Sequence, residues 1–255
     1  MFSHINSVSA PAKFNITSGA MRVTDPCYDT ATWCSGALPK VLNGEWLAQV
    51  GYFKCPSDAA GQQRWREKTA SDYENRIKEY EAKLAATDSP EVHRSFSFQI
   101  EWAKADLERE REKWAKQDAT YLGRVAYLRV VHSSIAATLE QPIAFSTFTA
   151  TDIHVGVDSG QAGFFDQAEH AKIAVPGVSR GSSPAFESFY ERICGLTCNE
   201  DGGLDFGAIE FGAAACSGYG DGGYNCHVRT DQDGNVIDAI IVFISDGSDE
   251  EGEES

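Results

Sequence analysis

The sequence predicts an α+β fold: a mainly antiparallel β body into which a long antiparallel helical hairpin is inserted. Three observations predict it. Residues 58–119 repeat apolar side chains at helical spacing, the segments on either side alternate in the two-residue period of strands, and Gly- or Pro-bracketed corners separate those strands. No internal repeat is apparent. The expected organisation is a β-rich body from residues 1–57 and 120–245, a hairpin insertion at 58–119 and an acidic, disordered tail at 246–255.

In chain order, "KFNITSGAMRVTDP" reads as strand, Ser-Gly turn and strand, and "GEWLAQVGYF" as a further strand. Trp65, Tyr73, Ile77, Tyr80 and Leu84 then mark one helical stripe, and Val92, Phe96, Ile100, Ala103, Leu107 and Trp114 a second. Between them "ATDSPE" supplies a break, Ser89 as N-cap and Pro90 at the first helical position. Two such helices on a short loop predict an antiparallel pair, each arm about 40 Å long. "GRVAYLRVVH" resumes the strands, so the hairpin interrupts one β-meander. "DIHVGVDSGQAGFFD" is a strand entering a Gly-punctuated corner, and "SPAFESFYERICGL" a short helix with Ser183 as cap and Pro184 at N1. Finally "YNCHVRT" and "NVIDAIIVFIS" flank "DQDG", where Asp233-Gly234 predicts a tight hairpin turn.

Charge and cysteine content narrow the function. Of the formal charge of −16, the tail "DGSDEEGEES" carries six acids and no base, leaving −10 for residues 1–245. Residues 58–119 are nearly neutral, with 12 bases against 14 acids, so the acidity lies in the body. An acidic body argues against a groove that tracks nucleic-acid phosphates. The start "MFSHINSVSAPAKFNI" has no basic end followed by an apolar core, and no apolar run reaches 18 residues. A soluble, cytoplasmic protein without membrane segments is therefore expected. Seven cysteines, an odd number in mostly apolar or Gly-rich surroundings, suit a reducing compartment. The pairs Cys27/Cys34 and Cys194/Cys198 lack the tight spacing of common zinc sites, which argues against zinc.

Three clusters bracket an acid with Gly or Pro at a strand end: "VTDPCYD", "GVDSGQAGFFD" and "SGYGDGGY". Glycine admits positive φ and close approach, and a proline after Asp25 forces that aspartate out of helical geometry. Acids at such corners are placed rather than merely exposed. The chain also lacks the Gly-Asp-Ser-Gly-Gly-Pro and Ala-Ala-His-Cys segments of trypsin-like proteases, a G-x-S-x-G elbow, a phosphate-binding P-loop and an H-E-x-x-H helix. "DQDG" lacks the twelfth-position glutamate of a calcium loop.

These segments resemble an uncharacterised family of phage and bacterial proteins close to the domain-of-unknown-function family 4241. The residues that carry the resemblance are Asp25-Pro26-Cys27-Tyr28, Trp33-Cys34, Gly44-Glu45-Trp46, Asp158 to Gly163, Asp166, Ser217 to Tyr224 and the hairpin "DGNVIDAIIVF". It spans residues 14–55 and 121–245 and skips the helical segment. The resemblance implies a phage or prophage setting, hence a host cytoplasm, and no established reaction.

The leading functional expectation is a cleft lined by Asp, Gly and Tyr that binds a small polar, nucleotide-like ligand. Its candidate residues are Asp25, Tyr28, Asp158, Ser159, Gln161, Asp166, Tyr219, Asp221 and Tyr224. A second reading makes the same corner a metal-dependent hydrolase: Asp25, Asp158, Asp166 and Asp221 would hold Mg²⁺ or Mn²⁺, or two of Asp25, Asp158 and Asp221 would divide acid and base roles. A third assigns residues 58–119, or the acidic surface, to a protein partner or to self-association. A purely structural alternative has the Gly-Asp-Gly turn close a sheet corner over Tyr219 and Tyr224. His132, His154 and His227 sit in strand patterns and are expected on strand faces rather than in catalysis.

Overall fold

The strands among the described residues build two antiparallel sheets. The structure is a computed structural model and describes residues 2, 4–120, 122–178, 181–197 and 205–245; the acidic tail and Cys198 lie outside them. The strands of the first half are β1 (Ser7–Val8), β2 (Ala12–Ile16), β3 (Ala20–Thr24), β4 (Gly36–Pro39), β5 (Gly44–Phe53) and β6 (Arg124–His132). Those of the second are β7 (Thr149–Val157), β8 (Gln161–Asp166), β9 (Phe206–Ile209), β10 (Gly212–Cys216), β11 (Gly222–Thr230) and β12 (Val236–Val242). Among the described residues four α-helices accompany them: α1 (Pro56–Ala85), α2 (Pro90–Thr120), α3 (Gln167–Ile173) and α4 (Pro184–Thr197).

Seven strands form one sheet in the order β1-β5-β6-β12-β11-β7, with β2 also on β5; five form the other, β4-β3-β8-β10-β9. The main core lies between the two, where Trp46, Leu128 and Ile241 of the first meet Val23, Phe164 and Ala213 of the second. Because successive residues of a strand point to opposite faces, Phe165 turns away from that core. It packs with Phe186, Phe189 and Ile193 of α4 in a second cluster. The five-stranded sheet is thus covered on both faces, which is why all six residues of β8 are buried.

The strand partners explain the corners. β2 and β3 are joined by a Ser-Gly turn yet do not pair: β2 lies on β5, and β3 lies on β4 and β8. The same holds at residues 158–160, between β7 and β8, and at 217–221, between β10 and β11. Each of these turns carries the chain from one sheet to the other. By contrast β11 and β12 form a true hairpin around "DQDG", where the Asp231 carboxylate accepts from the N–H groups of Asp233 at 2.9 Å and Asn235 at 2.8 Å.

β5 and β6 pair directly, so the helical segment leaves the sheet between neighbouring strands. Residues 54–121 form a compact unit of their own, separate from 1–53 with 122–255. Within it Ile77, Ile100 and Ala103 make the seam, with Tyr73, Tyr80 and Leu84 against them. Trp65 meets Trp114 edge-on at 5.9 Å, and Tyr80 stacks on Phe96 at 6.0 Å. Ion pairs Arg66–Asp118 (2.6 Å), Arg111–Glu74 (3.3 Å) and Lys104–Glu81 (3.2 Å) step along the two helices in opposite directions. Among the described residues no helix is long and apolar enough to cross a membrane.

Candidate functional site

The three Gly-bracketed clusters meet at one end of the body, and the meeting is built from hydrogen bonds. Asp25, at the end of β3, is fully buried. Its carboxylate accepts from the N–H groups of Cys27 (2.8 Å), Asp158 (2.9 Å) and Ser159 (2.8 Å) and from the Ser159 hydroxyl (2.7 Å). The 158–160 corner in turn holds the third cluster, because the Ser217 N–H donates to the Gly160 carbonyl at 2.9 Å. At that third corner Gly218 and Gly220 take φ of +65° and +106°, which side-chain-bearing residues resist. The Tyr224 hydroxyl lies beneath them, 2.9 Å from the Ser217 carbonyl and 2.7 Å from that of Gly220.

Asp166 does the same at a different corner. Fully buried, it accepts from the Thr17 and Ser18 N–H groups at 2.6 and 2.9 Å, and caps α3 through Ala168 and Glu169 at 2.9 and 3.1 Å. Burial alone would raise its pKa, but these N–H bonds outweigh it and hold the carboxyl below the usual range. The four aspartates of the expected metal cleft therefore do not share one surface. Asp25 and Asp166 face inward, and only Asp158 and Asp221 border a cavity. Among the described residues no group of three or more His, Cys, Asp and Glu is placed to hold a metal ion.

That cavity, of about 580 Å³, is lined by Tyr28, Thr32, Trp33, Cys34, His154, Gly156, Val157, Asp158, Asp221, Gly222 and Gly223. Its outer wall is the loop between β3 and β4. Asp29 folds that loop on itself by accepting from the Ala31 N–H and the Thr32 hydroxyl, and pins it to the Gly177 N–H at 2.6 Å. Arg22 of β3 holds it from inside, donating to the Thr30 carbonyl at 3.1 Å and to the Ser35 hydroxyl. The Cys34 carbonyl then accepts from the Gly156 N–H at 2.8 Å, joining the loop to the edge of β7.

The cavity floor is a pair of glycines. Gly156 and Gly223 face each other across β7 and β11. A Cβ on Gly156 would stand 2.6 Å from the Cys34 sulfur, and one on Gly223 would overlap the His154 ring. Glycine at both positions makes room for those side chains above the sheet. His154 is oriented by Asn225, whose Oδ1 lies 3.1 Å from Nδ1, and Tyr28 hydrogen-bonds the Asp158 carboxylate. Burial, and after it the bonds to Asp158 and Cys34, raise the Tyr28 pKa well above the ordinary phenol value, so this hydroxyl stays protonated. Trp33 stands at the rim, 89% exposed.

The remaining candidates fall outside the lining. Ser159 is occupied by Asp25, and Gln161 is buried with its amide 3.6 Å from the Cys194 sulfur. Tyr219 is half-exposed under the Arg124 guanidinium, 4.7 Å from its ring centre. Tyr224 supports the turn. The purely structural alternative thus describes Tyr224 and the Gly218–Gly220 corner, though not Asp221, which is exposed at the cavity edge. Sequence reasoning missed His154 as a lining residue and gave Trp33 and Cys34 no role in a site. The local signal was a histidine two residues before a glycine in "DIHVGV"; the pairing of that glycine with Gly223 is not legible in the sequence.

A second cavity, of about 530 Å³, lies on the outer face of β5 and β6 beside Phe2, Gln49, Tyr127, Arg129 and Ile143. The Arg129 guanidinium there is engaged by Asp238, at 2.7 and 3.1 Å, and by Thr138. Among the described residues no disulfide joins Cys27, Cys34, Cys55, Cys194, Cys216 or Cys226.

Comparison of the chain with protein-family models, with curated proteins and with solved structures gave no match in any of the three.

Proposed function

We propose that this protein binds a small polar ligand in the cleft between Asp158 and Asp221, with a flat face of the ligand laid on Trp33. The observation that carries the reading is the lining itself. Two exposed carboxylates, a phenol, an imidazole and an indole border one cavity of ligand size, and no Lys or Arg is among the described residues around it. Carboxylates accept hydrogen bonds and repel phosphate, so the part of the ligand facing them carries N–H or O–H donors or a positive charge. A nucleoside-like ring fits this requirement with its donor edge inward; a phosphate on it would point to solvent.

The reading concerns binding, and the setting it fits is the cytoplasm, as the family resemblance to phage and bacterial proteins implies. Native mass spectrometry of protein purified from its source cells tests it. The expected result is a retained small molecule that Asp158→Ala and Asp221→Ala both release, with circular dichroism unchanged. A wild-type protein that retains nothing, and shows no thermal shift with nucleosides, amines or sugars, overturns it.

A further inference from the structure

We propose that the hairpin is a self-association arm, through which two copies of this chain pair antiparallel along the outer face of α2. The seam between α1 and α2 uses Phe96, Ile100, Ala103, Leu107 and Trp114 of α2, spaced to face α1. A second stripe runs along the same helix at alternating steps of four and three: Glu91, Ser95, Phe98, Trp102, Ala105 and Arg109. Every member is exposed, Phe98 at 68% and Trp102 at 50%. That spacing is the seam of a coiled coil, and among the described residues of the hairpin it packs against nothing.

The stripe is complementary to itself in one direction only. Placed antiparallel about Ile100, Phe98 of one copy meets Trp102 of the other, and small Ser95 meets small Ala105. At the ends Glu91 faces Arg109. The two-fold axis makes each contact occur twice, as in an isologous interface. Placed parallel, the same stripe sets Glu91 on Glu91 and Arg109 on Arg109, which like-charge repulsion opposes. Arg109 already pairs with Asp106 of its own helix, yet stays 63% exposed and able to reach outward.

The size of the contact sets its strength. Two large aromatic side chains per copy, with the stems around them, bury on the order of 1,000 Å² in total, at the low end for a specific complex. The dimer is therefore reversible and concentration-dependent. The ion pairs fix direction and register more than they add affinity, because exposed pairs contribute little.

Sedimentation velocity on the full chain from about 1 μM to about 1 mM tests this. A monomer–dimer equilibrium is expected in that range. Trp102→Glu and Phe98→Glu each weaken it at least tenfold, while helix content by circular dichroism is unchanged because neither side chain belongs to the α1–α2 seam. Glu91→Arg alone and Arg109→Glu alone weaken it, and the two together restore it. A wild-type chain that stays monomeric throughout overturns the proposal. So does a dimer that survives Trp102→Glu, or a charge exchange that fails to restore pairing. The outcome is independent of the cleft, which is on the other compact unit.

Discussion

Two corners of the body use one device and differ in what they leave open. At the Asp166 corner a buried carboxylate gathers the N–H groups of Thr17 and Ser18 on one side and caps α3 on the other. Everything near it is consumed by structure. At the Asp25 corner a buried carboxylate likewise gathers backbone donors, from Asp158 and Ser159. There the chain it holds carries a second acid, Asp158, whose side chain points outward into a cavity with Asp221 and Tyr28. An acid in a Gly-rich turn is therefore of two kinds, one that closes the turn and one that the closed turn presents. Both kinds meet at the Asp25 corner, where the Asp158 N–H donates to the Asp25 carboxylate.

Breaking the closing acids produces the largest effect. Asp25→Ala strands four donors in the interior and Asp166→Ala strands those of two turns. Each buried donor left unsatisfied costs about 1–3 kcal/mol, so either variant loses about 3 kcal/mol or more. Urea denaturation measures it. A loss below about 1 kcal/mol for both would show that the two carboxylates are dispensable to the crossings.

A smaller effect comes from beside the Asp166 corner. His170 of α3 is fully buried, stacked on Phe165 at 5.4 Å, and neither ring nitrogen has a hydrogen-bond partner among the described residues. Burial, aided by the charge of Arg22, pushes its pKa down to about 4. The unfolded chain protonates near pH 6.5 while the fold still refuses the proton. The stability held by neutral His170 is thus present above about pH 6.5 and lost as pH falls toward about 4, on the order of 3 kcal/mol by linkage. His170→Phe flattens stability against pH across that window. If denaturation midpoints of the two proteins run parallel from pH 7 to 4, His170 is not the titrating group.

How legible was this from the sequence? The hairpin, its insertion between two strands and the Ser183-Pro184 start of α4 follow from local spacing and capping, which neighbouring residues decide. The corners were legible as corners because Gly and Pro state a backbone conformation. Their tasks were not. Asp25 bonds to residues 133 and 134 positions away, and no local pattern says whether a carboxylate finds distant N–H groups or faces solvent. Tyr224 shows the same limit, since its hydroxyl turns back onto its own corner instead of toward the cleft. His154 reads as an ordinary outward strand position until the diagonal residue of β11, over which its ring lies, is known to be Gly223.

The presenting acids separate from the closing ones by having almost no effect on stability. Asp158→Asn and Asp221→Asn keep shape and remove charge at exposed positions, so stability changes by less than about 0.5 kcal/mol. Affinity for a donor-bearing ligand, read by calorimetry, falls at least tenfold for each, since a charged acceptor is lost.

Trp33 tests the same contrast where no carboxylate is involved. An indole 89% exposed buries almost nothing in the folded chain, so Trp33→Ala leaves the unfolding midpoint within about 0.5 kcal/mol of wild type. Its residues of support, Asp29 and Arg22, hold the loop backbone and do not need the indole. If the ring is there to meet a flat or cationic ligand face, its removal weakens binding by about 0.5–2 kcal/mol, and Trp33→Phe recovers part of that. A Trp33→Ala protein that loses stability instead would place the indole among the packing residues. The cleft would then have no aromatic wall, and the donor-bearing ligand would be held by Asp158 and Asp221 alone.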